Sequence, residues 1–212
     1  MPTLNAVLLV GPTGAGKSPL GAYLETSGLA GRRCFHFDFG ENLRSAAETP
    51  ALYPLIGAPE IGIVRNSLAT GALLEDNQFY IVKAIFESFA RVRGIGAEDI
   101  VLLNGMPRHV GQAERIAEFI DVRLLVHLNC SDETVSRRIA TNAGGDRTGR
   151  VDDGAAAVAR KCETFRKRTV PLLTYYGAQT NTEIVSVPVD ESTGPEAIAA
   201  AMEQALKGAK GW

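Results

Sequence analysis

The chain has 212 residues, 45% of them hydrophobic and 22% charged, enough for one soluble domain with a sizeable core or one domain carrying insertions. Its 22 Lys+Arg against 24 Asp+Glu leave a formal net charge of -2, which excludes the global basic field that draws proteins to duplex nucleic acid or anionic membrane; any anion must be bound locally. No apolar run approaches the roughly 20 residues that span a bilayer, and Met1-Pro-Thr-Leu-Asn5 lacks the basic segment of a signal peptide, so a cytoplasmic location is expected.

Short β-rich apolar runs at residues 6–10, 34–37, 100–103, 123–128 and 183–187 have the near-continuous apolarity of strands buried on both faces. Between them lie helical patterns at 17–27, 79–93, 111–119, 132–140, 155–176 and 195–206. Strands alternating with helices predict an α/β fold with about five parallel strands and helices on both faces of the sheet. Two regions break the alternation. Residues 39–74 read as short helical pieces interrupted by Pro50, Pro54, Gly57 and Pro59, and residues 142–153 are polar and glycine-rich. The expected organisation is a core of residues 1–38, 76–141 and 154–212, a small helical insertion at 39–75 and a short mobile loop at 142–153. Cys34, Cys130 and Cys162 form no C-x-x-C pair, argue against a disulfide framework or structural zinc, and read as small buried apolar groups. His36, His109 and His127 are too dispersed for a metal site and receive no catalytic role.

Gly11-Pro-Thr-Gly-Ala-Gly-Lys-Ser18 satisfies G-x-x-x-x-G-K-[ST] directly after an apolar strand and before a helix, the context that makes the pattern a P-loop. Residues Gly11, Pro12, Thr13, Gly14, Ala15 and Gly16 would wrap a phosphate, the backbone N–H groups of all but Pro12 pointing inward, the helix start adds partial positive charge, and Lys17 supplies a full charge to the outer phosphates. Such a loop serves GTPases, transport ATPases, kinases and regulators alike.

Three further segments narrow the choice: Asp38-Phe-Gly-Glu-Asn-Leu-Arg44 after the second strand, Leu103-Asn-Gly-Met-Pro-Arg108 with Gln112 after the third, and Arg137-Arg138 followed by Gly149-Arg-Val-Asp-Asp153 around the polar loop. In this order the sequence resembles the adenylate kinase family of nucleoside monophosphate kinases, short-lid type, from about Val7 to Tyr176. The resemblance implies a P-loop NTPase fold in which residues 39–75 form the monophosphate-binding insertion and 142–153 the lid. It implies that Lys17 holds the β- and γ-phosphates of ATP, that Arg44 and Arg108 grip the acceptor α-phosphate, and that Gln112 reads the acceptor base. Phe39, Gly40, Ala72, Leu74 and Gly105 would line the acceptor pocket, Arg138 would stack on the donor adenine, and Arg150 would swing in with the lid. A long amide at Gln112 can both donate to and accept from a purine edge, which favours AMP. The residues themselves leave alternatives open: Arg44 and Arg108 as surface charges, one of Arg137 and Arg138 merely solvated, and Asp152 and Asp153 as a helix cap rather than lid or metal residues.

Several positions depart from the family pattern. Asn104 stands where most members have an aspartate that helps to hold hydrated Mg²⁺, keeping a hydrogen bond but losing the charge, so any contact to the metal would run through water. By compensation Ser18 carries the hydroxyl that P-loops use as a direct Mg²⁺ ligand. Pro19 removes a backbone N–H from the helix start, and Phe39 and Glu41 replace the usual Thr and Asp. The final-helix arginine aligns with Lys161, with Arg160 one position earlier, and another usual arginine aligns with Asn142, with Arg147 the natural substitute. The expected activity is transfer of the γ-phosphoryl of MgATP to a nucleoside monophosphate, AMP first, by a monomer that binds neither nucleic acid nor membrane. Two rivals stand beside it: a kinase for another monophosphate such as CMP, UMP or a dNMP, and a catalytically weakened ATP-binding regulator.

Overall fold

Strands apolar on both faces must lie between two layers, and the chain satisfies this with one open sheet. The structure, a computed structural model, describes residues 3–71, 74, 76–147 and 154–207. Strands β1 (Leu4–Val10), β2 (Cys34–Asp38), β3 (Ile100–Asn104), β4 (Ile120–Asn129) and β5 (Glu183–Pro188) pair entirely in parallel in the order β2-β3-β1-β4-β5. Alternate side chains serve opposite layers. Val7, Leu9, Ile100, Leu102, Leu124 and Val126 pack against α1 (Lys17–Ser27) and α9 (Pro195–Leu206). Ala6, Leu8, Val10, Val101, Leu103 and Leu125 belong to the opposite core, with Ile81, Val82, Ile85 and Phe86 of α4 (Phe79–Arg93). In that core Phe37 meets Phe86 edge-on, with ring centroids 5.2 Å apart.

The expected α/β architecture stands, and four helices begin and end where their periodicity places them. The insertion after β2 is more regular than its prolines predict. It forms α2 (Phe39–Glu48), a single 3₁₀ turn at Pro50–Leu52, and α3 (Ala58–Thr70). Pro50 and Pro59 sit in first turns, where the missing N–H costs nothing, so they bound helices rather than break them. Arg65 Nη2 donates to the Ala47 carbonyl at 2.9 Å, fastening α3 to α2, and Tyr53 Oη donates to Asn42 Oδ1 at 2.9 Å, fastening the connecting segment to α2.

Two helices are shorter than expected. Residues 111–119 become α5 (Val110–Ile116), ending early because the chain turns at Phe119 to enter β4. After α6 (Asp132–Ala140), the single helix expected over 155–176 divides into α7 (Ala155–Thr164) and α8 (Pro171–Gly177), joined by a π-helical turn at Phe165–Thr169. Pro171 has no N–H and its ring would strike a carbonyl four residues back, so the ladder widens just before it.

The layer over α1 also positions a polar strand residue. The backbone of Gly21 lies so close to His36 of β2 that a Cβ there would fall within the imidazole ring. Gly21→Val should therefore destabilise the protein by about 2 kcal/mol through overpacking, read as a fall of several degrees in Tm; an unchanged Tm would show that α1 can shift away freely.

Candidate active site

The register of the sheet assembles the site. Asp38, the last residue of β2, pairs with Asn104, the last of β3, and Asn104 pairs with Leu9 of β1, just before the P-loop. Three strand ends thus open at one edge, the crevice where α/β sheets take ligands. A larger cavity, about 410 Å³ and lined in part by Thr3, Asp121, Tyr176 and Asn181, lies at the opposite, amino-terminal end of β1 and β4 and holds none of the expected site residues.

At the end of β1, Gly14 (φ 78°) and Gly16 (φ 99°) take left-handed backbone conformations that an L side chain would strain. Gly16 begins α1 with no side-chain cap and no acidic residue in the first turn, so the helix presents unneutralised N–H groups. Lys17 Nζ curls back onto the loop, donating to the Gly11 and Pro12 carbonyls, each at 2.7 Å. Burial pushes the Lys17 ammonium down from its usual 10.5 to about 8; Asp38 and Asp146 oppose this, while Arg108 and Arg147 add to it.

Ser18, Asp38, Asn104 and His36 form one hydrogen-bonded group. Ser18 Oγ donates to Asp38 Oδ2 at 3.0 Å, and Asn104 Nδ2 donates to the same carboxylate oxygen at 2.8 Å and to Ser18 Oγ at 3.0 Å. His36 Nε2 lies 3.3 Å from Asn104 Nδ2, and burial favours the neutral ring by lowering the imidazole pKa. The other Asp38 oxygen caps α2, accepting from the Glu41 N–H at 3.0 Å.

After β3 the chain turns through Gly105 (φ 82°), whose carbonyl accepts from Arg108 Nε at 2.9 Å. Burial lowers the Arg108 pKa and the Asp38 carboxylate opposes that shift. Gln112, 3% exposed, is a strut: Oε1 accepts from the Arg108 N–H at 2.8 Å and Nε2 donates to the Leu74 carbonyl at 3.2 Å. One N–H and one lone pair of its amide are left for a ligand. Phe39, 5% exposed, turns its ring into the core toward Phe37, so the base-facing placement expected for it is not the one found: the ring completes the apolar layer under α2. Gly40 lies in the first turn of α2, and Arg44 of that helix is exposed and reaches toward it.

On the donor side the two adjacent arginines separate. Arg137 is the solvated one, paired with Glu133 and Glu191 at the surface. Arg138 is 4% exposed and donates to the carbonyls of Gly14 (3.0 Å), Asp190 (2.6 Å) and Thr193 (3.0 Å), tying the P-loop to the loop before α9. Beside it is a cavity of about 90 Å³ lined by Gly16, Pro19, Gly144 and Pro195. Arg147 folds over the P-loop and donates to Thr13 Oγ1 at 3.2 Å, while its own N–H is held by Asn142 Oδ1 at 3.1 Å. Asn142 thus positions the arginine that reaches the P-loop. Arg160 is exposed on α7 and Lys161 partly buried beside it. Ala72 and Arg150 lie outside the described residues.

The structure therefore brings Lys17, Ser18, Asn104, Arg108, Arg138 and Arg147 around the P-loop and leaves Arg44 and Arg160 at the surface. It adds Asp38, His36 and Asn142, which sequence reasoning gave no role. The signal for the first two was their spacing: His36 and Asp38 are two apart at the end of a strand and so share a face. The histidine's apolar neighbours concealed it.

A P-loop with cations converging from neighbouring strand ends is the arrangement of a nucleotide-binding protein that gathers and neutralises phosphate charge. No family model matches the chain. An adenylate kinase of Synechococcus sp. (strain WH7803) is 30% identical over 207 residues, covering 94% of this chain and 97% of that protein. Those of Parvibaculum lavamentivorans and Phenylobacterium zucineum are 29% identical over 198 residues and 27% over 209, covering 89% and 96% of this chain and 88% and 98% of those proteins. The chain belongs to the adenylate kinase family of ATP-dependent nucleoside monophosphate phosphotransferases.

Two outcomes follow from this geometry. The charged form of Lys17 is the one that attracts phosphate, so ATP affinity should hold up to about pH 8 and weaken above it, by at most about tenfold per pH unit, in calorimetric titrations. Arg138→Ala should lower stability by about 2–3 kcal/mol because it strips a charged donor from several carbonyls, whereas Arg137→Ala should stay within about 0.5 kcal/mol; equal losses in denaturant melts would remove the distinction.

Proposed function

We propose that the chain transfers the γ-phosphoryl group of MgATP to AMP, giving two ADP, in the cytoplasm and as a monomer. The observation that carries this reading is the cationic arc of Lys17, Arg108 and Arg147. Two arginines close enough to depress the Lys17 pKa repel it in the free protein, an arrangement that a polyphosphate relieves. In this reading the P-loop, Lys17 and Arg147 hold the donor phosphates. The adenine lies against Arg138 over the small cavity beside Pro195, and Arg44 and Arg108 take the acceptor phosphate. Gly40, Gly105 and the stretch containing Ala72 and Leu74 flank the acceptor, and the remaining amide positions of Gln112 meet its base. Arg150, with Arg160 or Lys161, closes from the lid.

The donor set suits Mg²⁺. Ser18 Oγ and the Asn104 side chain lie 3.0 Å apart in a cluster of hard oxygen and amide groups, and Mg²⁺ needs few protein ligands because substrate phosphates and water complete its shell. Ser18 would bind the ion and Asn104 one of its waters. When bound, Mg²⁺ neutralises charge on the β- and γ-oxygens. The chain's own groups do the rest: they align the two nucleotides, exclude water and hold positive charge where negative charge gathers. No side chain needs to act as a strong base, because the acceptor phosphate is already an anion.

A second acceptor is favoured by one observation: half of the hydrogen-bonding capacity of Gln112 is committed to Arg108 and Leu74, which weakens its purine reading. A coupled ADP-release assay with MgATP and AMP, dAMP, GMP, CMP, UMP or no acceptor decides the matter. The expected result is fast turnover with AMP, reduced by about 10²–10³ in Lys17→Ala. Preference for a pyrimidine would reassign the base, and turnover no faster with any acceptor than without one would leave an ATP-binding regulator.

A further inference from the structure

The Mg²⁺ reading above leaves one charge unexplained. Asp38 places a carboxylate directly on the P-loop serine, and it is the strongest opposing charge felt by both Lys17 and Arg108. A carboxylate at the mouth of a phosphate site repels the substrate unless a cation lies between them. No salt bridge occupies Asp38 among the described residues: its carboxylate is hydrogen-bonded to neutral groups, the Ser18 hydroxyl, the Asn104 amide and the Glu41 N–H. We infer that Asp38 is the acidic residue that holds the Mg²⁺ of the bound nucleotide, and that Asn104 is the positioning residue that aims it.

The hydrogen-bond polarities fit this assignment. The single proton of Ser18 goes to Asp38 Oδ2, which leaves lone-pair density on Oγ for a metal, with the carboxylate one bond away. Asn104 Nδ2 reaches both oxygens, and turning the amide over would set its carbonyl oxygen against the Asp38 carboxylate at the same short distance. A carboxylate at position 104 would instead meet the Asp38 carboxylate at 2.8 Å, where one of the two would have to take up a proton. The negative charge absent from the end of β3 is thus present at the end of β2, one strand away and in register with it. This inference rests on the phosphotransferase reading of the site.

The test uses Asp38→Asn, which preserves a good helix cap, and the double variant Asp38→Asn/Asn104→Asp, which returns the carboxylate to the neighbouring strand. The full chain is saturated with β,γ-imido-ATP and titrated with Mn²⁺, the free ion being read by electron paramagnetic resonance; binding of the same analogue in EDTA is measured by calorimetry. Asp38→Asn should weaken Mn²⁺ binding to the nucleotide complex by about tenfold or more while leaving metal-free nucleotide binding unchanged or tighter, since a repelling charge is gone. The double variant should recover Mn²⁺ affinity. If Asp38→Asn binds Mn²⁺ like the parent, or weakens metal-free and metal-loaded binding alike, Asp38 is only a helix cap and the inference fails while the kinase reading stands. If the parent chain does not bind the analogue at all, the kinase reading fails with it.

Discussion

Everything at the functional end of this molecule depends on the parallel registration of β2 on β3 and of β3 on β1. Parallel strands in register point paired residues to the same face, so three segments far apart in the chain deliver Ser18, Asp38 and Asn104 to within hydrogen-bonding distance. The register is itself held by the apolar residues behind it. A slip of one residue would send Leu102 and Val7 into the wrong layer and turn Asn104 away from the crevice. The core and the site are therefore one constraint seen at two depths of the same strands.

The site gathers like charges in a partly desolvated place, which folding alone does not favour. Burial lowers the Lys17 pKa there from its usual 10.5 to about 8, and lowers the Arg108 pKa as well. The strain is localised: the cations rest on loop carbonyls and on Thr13, groups that a polyphosphate can replace, whereas Arg138 is held more completely and serves the frame. Arg44 stands exposed on the helical insertion with no ion pair among the described residues.

Two asparagines at the site work on charged neighbours. The Asn142 side chain holds the backbone of Arg147, the arginine that reaches the P-loop. Asn104 lacks a charge, and its amide holds the carboxylate of Asp38. In both pairs the asparagine acts through a partner.

Residue order by itself determined what depends on local periodicity and local turn chemistry. The strand and helix alternation, the P-loop between β1 and α1, and helices such as α4 and α9 follow from spacing that no distant contact overrides. The same logic misread residues 155–176 as one helix, because a proline's effect on the ladder before it depends on whether the turn can widen, and it underrated the helices of the insertion, where prolines at first turns help rather than hinder. Only the tertiary structure decided which of Arg137 and Arg138 faces inward, that the Phe39 ring packs in the core, that Gln112 braces Arg108, and that Asp38 meets Ser18. Those outcomes are set by strand register and by which layer covers each face, and such long-range pairings leave no trace in the spacing of neighbouring residues.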